Sequence, residues 1–246
     1  MRYLLLALSV FTLINSCKQP DKQPCDDHYT KGSNYALSFD LMRANKEFDS
    51  AIIQDPQNAF AYYNKAVLAY LNGDFDKSIR YYDTSIDLDK NFVFGYMGRA
   101  TIFANNGQHK KAIADMDKVI AINPKQFYAY YTRAIYRNDL GNYEDAISDL
   151  SKTIELKPDF VNAFYYRGIF NGHLKNYSLA LLDINKAIQL RCDYLSIYTY
   201  KGYYEYMLGQ KENACIDFNK GKELGDSTAV IYISKYCDKN NTRIEK

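Results

Sequence analysis

The side chains with the greatest chemical potential are three histidines, five cysteines and a family of evenly spaced cations. His28, His109 and His173 would be metal ligands or general bases if they met partners at ligand spacing, but their separations match no metal-site pattern. No glycine-rich phosphate loop and no nucleophile elbow accompany them. Acids are plentiful, and nothing in their placement singles out a catalytic carboxylate pair. Cys17, Cys25, Cys192, Cys215 and Cys237 are too widely spaced for a metal cluster. The cations are different. Arg99, Arg133 and Arg167 stand 34 residues apart, each among aromatic and small residues where a core side chain is expected.

That interval is the period of the whole chain. Six gapless units run 25–58, 59–92, 93–126, 127–160, 161–194 and 195–228. The fourth place carries His28, Tyr62, Tyr96, Tyr130, Phe164 and Tyr198; the eighth is Gly or Ala; the twentieth is Ala or Ser. The twenty-fourth is large and apolar: Phe48, Tyr82, Met116, Leu150, Ile184 and Phe218. Places 20, 21, 24, 27 and 28 form one apolar stripe at helical spacing, and places 4 and 8 lie a turn apart on a preceding helix. Gly73, Gly107, Gly141 and Gly209 mark the turn between the two, with Phe39 and Lys175 at the same place in units one and five. A single hairpin of this kind cannot bury its own apolar faces, so successive hairpins must stack.

This pattern resembles the tetratricopeptide repeat over residues 25–228. The resemblance implies an all-α, right-handed superhelical solenoid of six helix-turn-helix repeats. It also implies a concave face, lined by the first helix of each repeat, that holds a protein or peptide. A closing helix is expected at about 228–238, within a terminal segment 229–246, to cover the open end of the stack.

Within the frame the cations have a reading. Place 7 carries Lys31, Lys65, Arg99, Arg133, Arg167 and Lys201; place 23 carries Glu47, Tyr81, Asp115, Asp149, Asp183 and Asp217. In the repeat's hairpin these places are neighbours, so the spacing predicts a ladder of pairs within five of the six repeats: Lys31 with Glu47, Arg99 with Asp115, Arg133 with Asp149, Arg167 with Asp183 and Lys201 with Asp217. Lys65 faces a tyrosine instead. The alternative, a basic stripe gripping an acidic ligand, is disfavoured because nearly every cation has its own acid.

Cys215 and Cys237 lie symmetrically about Asp226, the turn between the last two helices. An antiparallel pair brings such places level, and a disulfide between them is expected if the chain is exported; two buried thiols are the alternative.

Export is expected from the first residues. Arg2, an apolar run from Leu4 to Ile14 and a small-residue exit describe a signal peptide over 1–16, too short to span a bilayer permanently. Leu13-Ile14-Asn15-Ser16-Cys17 resembles a bacterial lipobox, which implies lipidation of Cys17 and a polar tether over 17–27. Lys18, rather than an aspartate, follows; by the same resemblance the outer membrane is favoured. With a net charge of +2 and both signs interspersed, no basic stripe marks a nucleic-acid surface.

The expected function is a non-enzymatic protein- or peptide-binding scaffold of the bacterial cell envelope. It needs no cofactor and no metal, and it meets the membrane through lipid. The expected groove is the other stripe of the first helices: Tyr63, Phe94, Met97, Tyr128, Tyr131, Ile135, Tyr165 and Tyr203. Tyrosine there offers large contact area at low entropy cost; the alternative is that these rings pack against neighbouring repeats. A tyrosine-rich trough would also fit a glycan, and a third reading is an accessory subunit of an envelope enzyme.

Overall fold

The structure is a computed structural model and describes residues 27–237. The expected signal peptide, Cys17, most of the tether and the last residues of the terminal segment lie outside them. The described residues form thirteen α-helices and no strand. No helix among them is long and apolar enough to cross a membrane.

The chain divides into two compact units, Met1–Pro124 and Lys125–Lys246. The first holds three hairpins: α1 (Asp27–Leu37) with α2 (Leu41–Gln54), α3 (Ala59–Leu71) with α4 (Phe75–Leu88), and α5 (Val93–Asn105) with α6 (His109–Ile122). The second holds α7 (Phe127–Asn138) with α8 (Tyr143–Leu156), α9 (Val161–His173) with α10 (Tyr177–Gln189), and α11 (Ile197–Met207) with α12 (Lys211–Glu223). The closing helix α13 (Ser227–Tyr236) packs on α11 and α12. Inside each unit the second helix of one hairpin packs on the first helix of the next.

The helix breaks follow from one backbone motif. Gly73 has φ +80°, its N–H bonds to Tyr70 O, and the Asp74 N–H reaches back to Ala69 O at 2.9 Å. This left-handed turn closes the orphan carbonyls of α3, and Asp74 then caps α4 by accepting from Lys77 N. Phe39 (φ +59°) and Lys175 (φ +62°) adopt the same conformation without being glycine.

The core is the apolar stripe of the second helices. Ala44, Phe48, Met116, Ala146, Leu150, Ala180, Ile184, Ala214 and Phe218 are fully buried. The small eighth place makes room for the large twenty-fourth. A Cβ on Gly32 would lie 2.7 Å from the Phe48 ring, and one on Gly202 would lie 2.8 Å from Phe218 Cδ1.

The closing helix arrives as the sequence pattern predicts. Tyr232 and Tyr236 stand over Phe218, at 5.4 and 6.1 Å between ring centroids. Asp226 accepts from Thr228 N and from the Thr199 hydroxyl. Cys215 and Cys237 are joined by a disulfide with Cα atoms 5.7 Å apart.

Candidate binding surface

The ion pairs frame the first helices. Arg99 grips Asp115 with two parallel bonds, Nε at 3.0 Å and Nη2 at 2.6 Å. Arg133 holds Asp149 at 2.9 and 2.6 Å, and Arg167 holds Asp183 with both bonds at 2.8 Å. The three aspartates are buried and the guanidinium groups largely so. Burial raises the Asp115 carboxyl above its ordinary pKa despite the opposing bonds from Arg99. Arg137, one turn after Arg133, gives Asp149 a further bond at 2.7 Å.

The ladder also runs between repeats, which the sequence pattern did not anticipate. Arg99 Nη1 bonds Asp83 of the preceding repeat at 2.6 Å, and Arg167 Nη1 bonds the Ser151 hydroxyl at 3.0 Å. Lys65, whose own repeat offers Tyr81, bonds Asp49 at 2.5 Å and Asn45 at 2.8 Å on the helix before it, with its ammonium 5.5 Å from the Tyr81 ring. These partners sit at place 25 (Asp49, Asp83 and Ser151). In the first repeat, Glu47 receives the His28 imidazole Nδ1 at 2.5 Å.

Lys201 bridges Asp217 and, at 3.0 Å, Glu205. Burial first, then the neighbouring Asp217 carboxylate, lifts Glu205 above its ordinary pKa. Glu205 Oε2 has no partner among the described residues.

The expected groove residues divide into two groups. Tyr63 and Tyr165 are core residues, 2% and 6% exposed, and are not free to meet a partner. Part of their cover is the last place of each repeat, which carries Phe92, Phe160 or Tyr194 in units two, four and five. These rings fold back over place 5. Phe92 lies 5.7 Å edge-on to Tyr63, Phe160 lies 5.0 Å from Tyr131, and Tyr194 stacks on Tyr165 at 4.3 Å. The Tyr165 hydroxyl is 2.9 Å from Ser196, and burial pushes its pKa up to about 12. An aromatic recurring every 34 residues at place 34 was the available signal. Tyr203 is partly exposed, with the rings of Tyr177 and of Tyr232 on the closing helix at 6.2 and 5.6 Å.

The other group stays partly exposed. In the first unit Phe94 and Met97 lie on α5 at i and i+3. In the second, Tyr128, Tyr131 and Ile135 lie on one side of α7, with Tyr166 and Ile169 of α9 beside them. Tyr131 is 5.7 Å from Tyr128 and 6.0 Å from Tyr166. Burial raises the Tyr131 and Tyr128 hydroxyls above the ordinary tyrosine range. The result is a half-exposed aromatic and aliphatic surface. Its partners would make apolar contacts and hydrogen bonds to hydroxyl groups.

Among the described residues no three His, Cys, Asp or Glu side chains are placed to hold a metal ion. Cys192 is a half-buried free thiol whose pKa burial raises.

Three family profiles, all described as tetratricopeptide repeat, match residues 59–92, 95–126 and 131–193. Together they account for just over half of the chain. No curated protein matches the sequence. Among solved structures the chain is similar to YrrB, described as a TPR protein with an unusual peptide-binding site: 17% identity, 76% of this chain and 97% of that one, TM-score 0.67. It is similar to MamA from Desulfovibrio magneticus RS-1 at 22% identity, 69% and 97% coverage and TM-score 0.64. It is also similar to the APC/C hetero-tetramer Cut9–Hcn1 at 14% identity, 94% of this chain and 46% of that one, with TM-score 0.65.

Proposed function

We propose, from the premise that this chain belongs to the tetratricopeptide repeat family, that it is a non-enzymatic scaffold that captures a protein or peptide segment and is held on a bacterial envelope membrane by lipid at Cys17. The observation that carries the binding reading is the half-exposed row Tyr128, Tyr131, Ile135, Tyr166 and Ile169 on consecutive first helices of one unit. Rings with apolar faces and polar tips suit an extended segment, which brings both side chains and backbone groups. A row of this kind left uncovered is otherwise an aggregation liability. The peptide-binding description of YrrB belongs to a relative with the same fold and is consistent with this use.

The anchor reading rests on the Leu13–Cys17 motif and on the apolar run before it. One acyl chain binds a bilayer only marginally, so stable anchoring implies several. The outer membrane is favoured by Lys18.

Binding is tested by crosslinking in the native cell with capture of what is held. Tyr128→Ala with Ile135→Ala should reduce capture several-fold while the melting temperature stays within a few degrees, since both residues are partly exposed. Unchanged capture would refute this surface as the site. The anchor is tested separately: Cys17→Ser should move the protein out of the detergent phase, and unchanged partitioning with an unchanged N-terminal mass would refute it.

A further inference from the structure

The repeat frame provides an internal control, and the first repeat departs from it in one direction. Place 15 is Gly73, Gly107, Gly141, Lys175 and Gly209 elsewhere, but Phe39 here. Place 18 is Asp76, Lys110, Glu144, Ser178 and Glu212 elsewhere, but Met42 here. Neither change fills a cavity. Phe39 is 76% exposed and Met42 87% exposed, and Phe39 holds a left-handed backbone (φ +59°) that disfavours any side chain. Ile53, 80% exposed, repeats the departure at place 29, where the other repeats have Asp87, Ala121, Glu155, Gln189 and Glu223. Met42 and Ile53 are eleven residues apart, three turns, and so lie on the same side of α2. Between them on that side are the exposed Lys46 and Asp49, the latter paired with Lys65, and next to Met42 is the exposed Arg43, paired with Asp40 at 3.1 Å. Isolated exposed apolar residues are ordinary; three at frame positions that are otherwise small or polar form a surface.

We infer that Phe39, Met42 and Ile53, with Lys46 beside them, form a membrane-contact surface that seats the first repeat on a phospholipid leaflet. The inference rests on the lipid anchor proposed above, and chain length argues for this occupant. Cys17 is ten positions before Asp27, the start of α1. Extended, that stretch reaches at most about 35 Å, so the first repeat is held near the surface that carries the lipid. Phe39 lies beyond the far end of α1, an eleven-residue helix about 16 Å long. The tether is long enough to run back along α1 and bring Phe39 onto the bilayer. Apolar tips match an interface that offers acyl chains below the headgroups, and a second weak signal beside an acyl anchor is how stable attachment is built.

The chain has no tryptophan, so a single one reports its own surroundings. The acylated full-length protein would carry Phe39→Trp, or Leu182→Trp on α10 as the reference. It would be reconstituted into phosphatidylethanolamine–phosphatidylglycerol vesicles with brominated acyl chains. An interfacial side chain sits ~5–10 Å into the headgroup and acyl boundary, so the residue-39 emission should shift to the blue and lose about half its intensity, with the reference unaffected. Protein that floats with the vesicles while the residue-39 emission stays unshifted and unquenched overturns the contact and leaves the anchor standing. Cys17→Ser that floats as well as its parent, with quenching intact, overturns the anchor and supports the contact by itself. Parent protein that fails to float overturns both. A blue shift that grows with protein concentration in the absence of vesicles assigns the surface to a second copy instead.

Discussion

Two buried polar residues in the repeat cores should both gain stability on substitution, one at every pH and one only where it would ionise. Tyr82 is 1% exposed, its hydroxyl has no partner among the described residues, and its ring fills the space beside Gly98. Tyr82→Phe removes an unpaired buried hydroxyl and should raise stability by about 1 kcal/mol. A loss in denaturant melts would mean that bound water satisfies the group. Glu205 differs because it titrates. Its pKa is raised in the folded state, so its stabilising contribution is present below the unfolded carboxyl value and is lost as pH rises through the folded value. Glu205→Gln, which cannot ionise, should therefore be more stable than the parent at neutral pH and should lose that advantage below about pH 4. A stability difference independent of pH would show that Lys201 compensates for the charge completely. The bidentate pairs behave oppositely. Asp149→Ala leaves Arg133 and Arg137 without their shared buried carboxylate and should cost ~3–5 kcal/mol.

At the scale of elements, the turn between the helices of a repeat is one left-handed residue, and the closing helix is one short amphipathic segment. Phe39→Gly and Lys175→Gly replace strained residues with the one that accepts this backbone, and each should add about 1 kcal/mol. A fall in melting temperature for Phe39→Gly would mean that the ring packs on something in the free protein. The helix α13 is ten residues long and could not persist alone in water. It is held by Tyr232 and Tyr236 over Phe218 and by the bridge to Cys215. Cys237→Ser should lower stability by ~3 kcal/mol and speed amide exchange in α13 first. Equal exchange across the chain would show that ring packing alone secures it.

For the whole molecule, the two-way cations bear on how the repeats are coupled. A stack of repeats is stabilised by the repeats themselves and by the interfaces between neighbours. Arg99 serves both terms, with Asp115 in its own hairpin and Asp83 in the one before. Asp83 is 46% exposed as a side chain, so Asp83→Asn should cost no more than about 1 kcal/mol. Its signature should be a broader unfolding transition, as α1 to α4 part from α5. A transition that shifts without broadening would place the coupling in apolar packing instead. Capture by Tyr128 and Ile135, seating on lipid by Phe39 and the anchor at Cys17 are separate proposals at this scale, and each has its own test.

The sequence by itself determined the repeat, its hairpins and the turn residues, and it pointed to most of the ion pairs within repeats and to the closing disulfide. All of these are local or fall at fixed offsets, and a gapless 34-residue period turns a local pattern into a three-dimensional one. The tertiary structure alone decided which first-helix aromatics stay open. Period and spacing placed Tyr63, Tyr131 and Tyr165 equivalently, yet two are buried and one is half-exposed. A ring at the end of the repeat lies over all three, so exposure is set by how the remaining neighbours pack, and no spacing encodes that. The same holds for the cations. Their assignment to one repeat or two depends on the distance between stacked hairpins, set by the packing of every core residue between them.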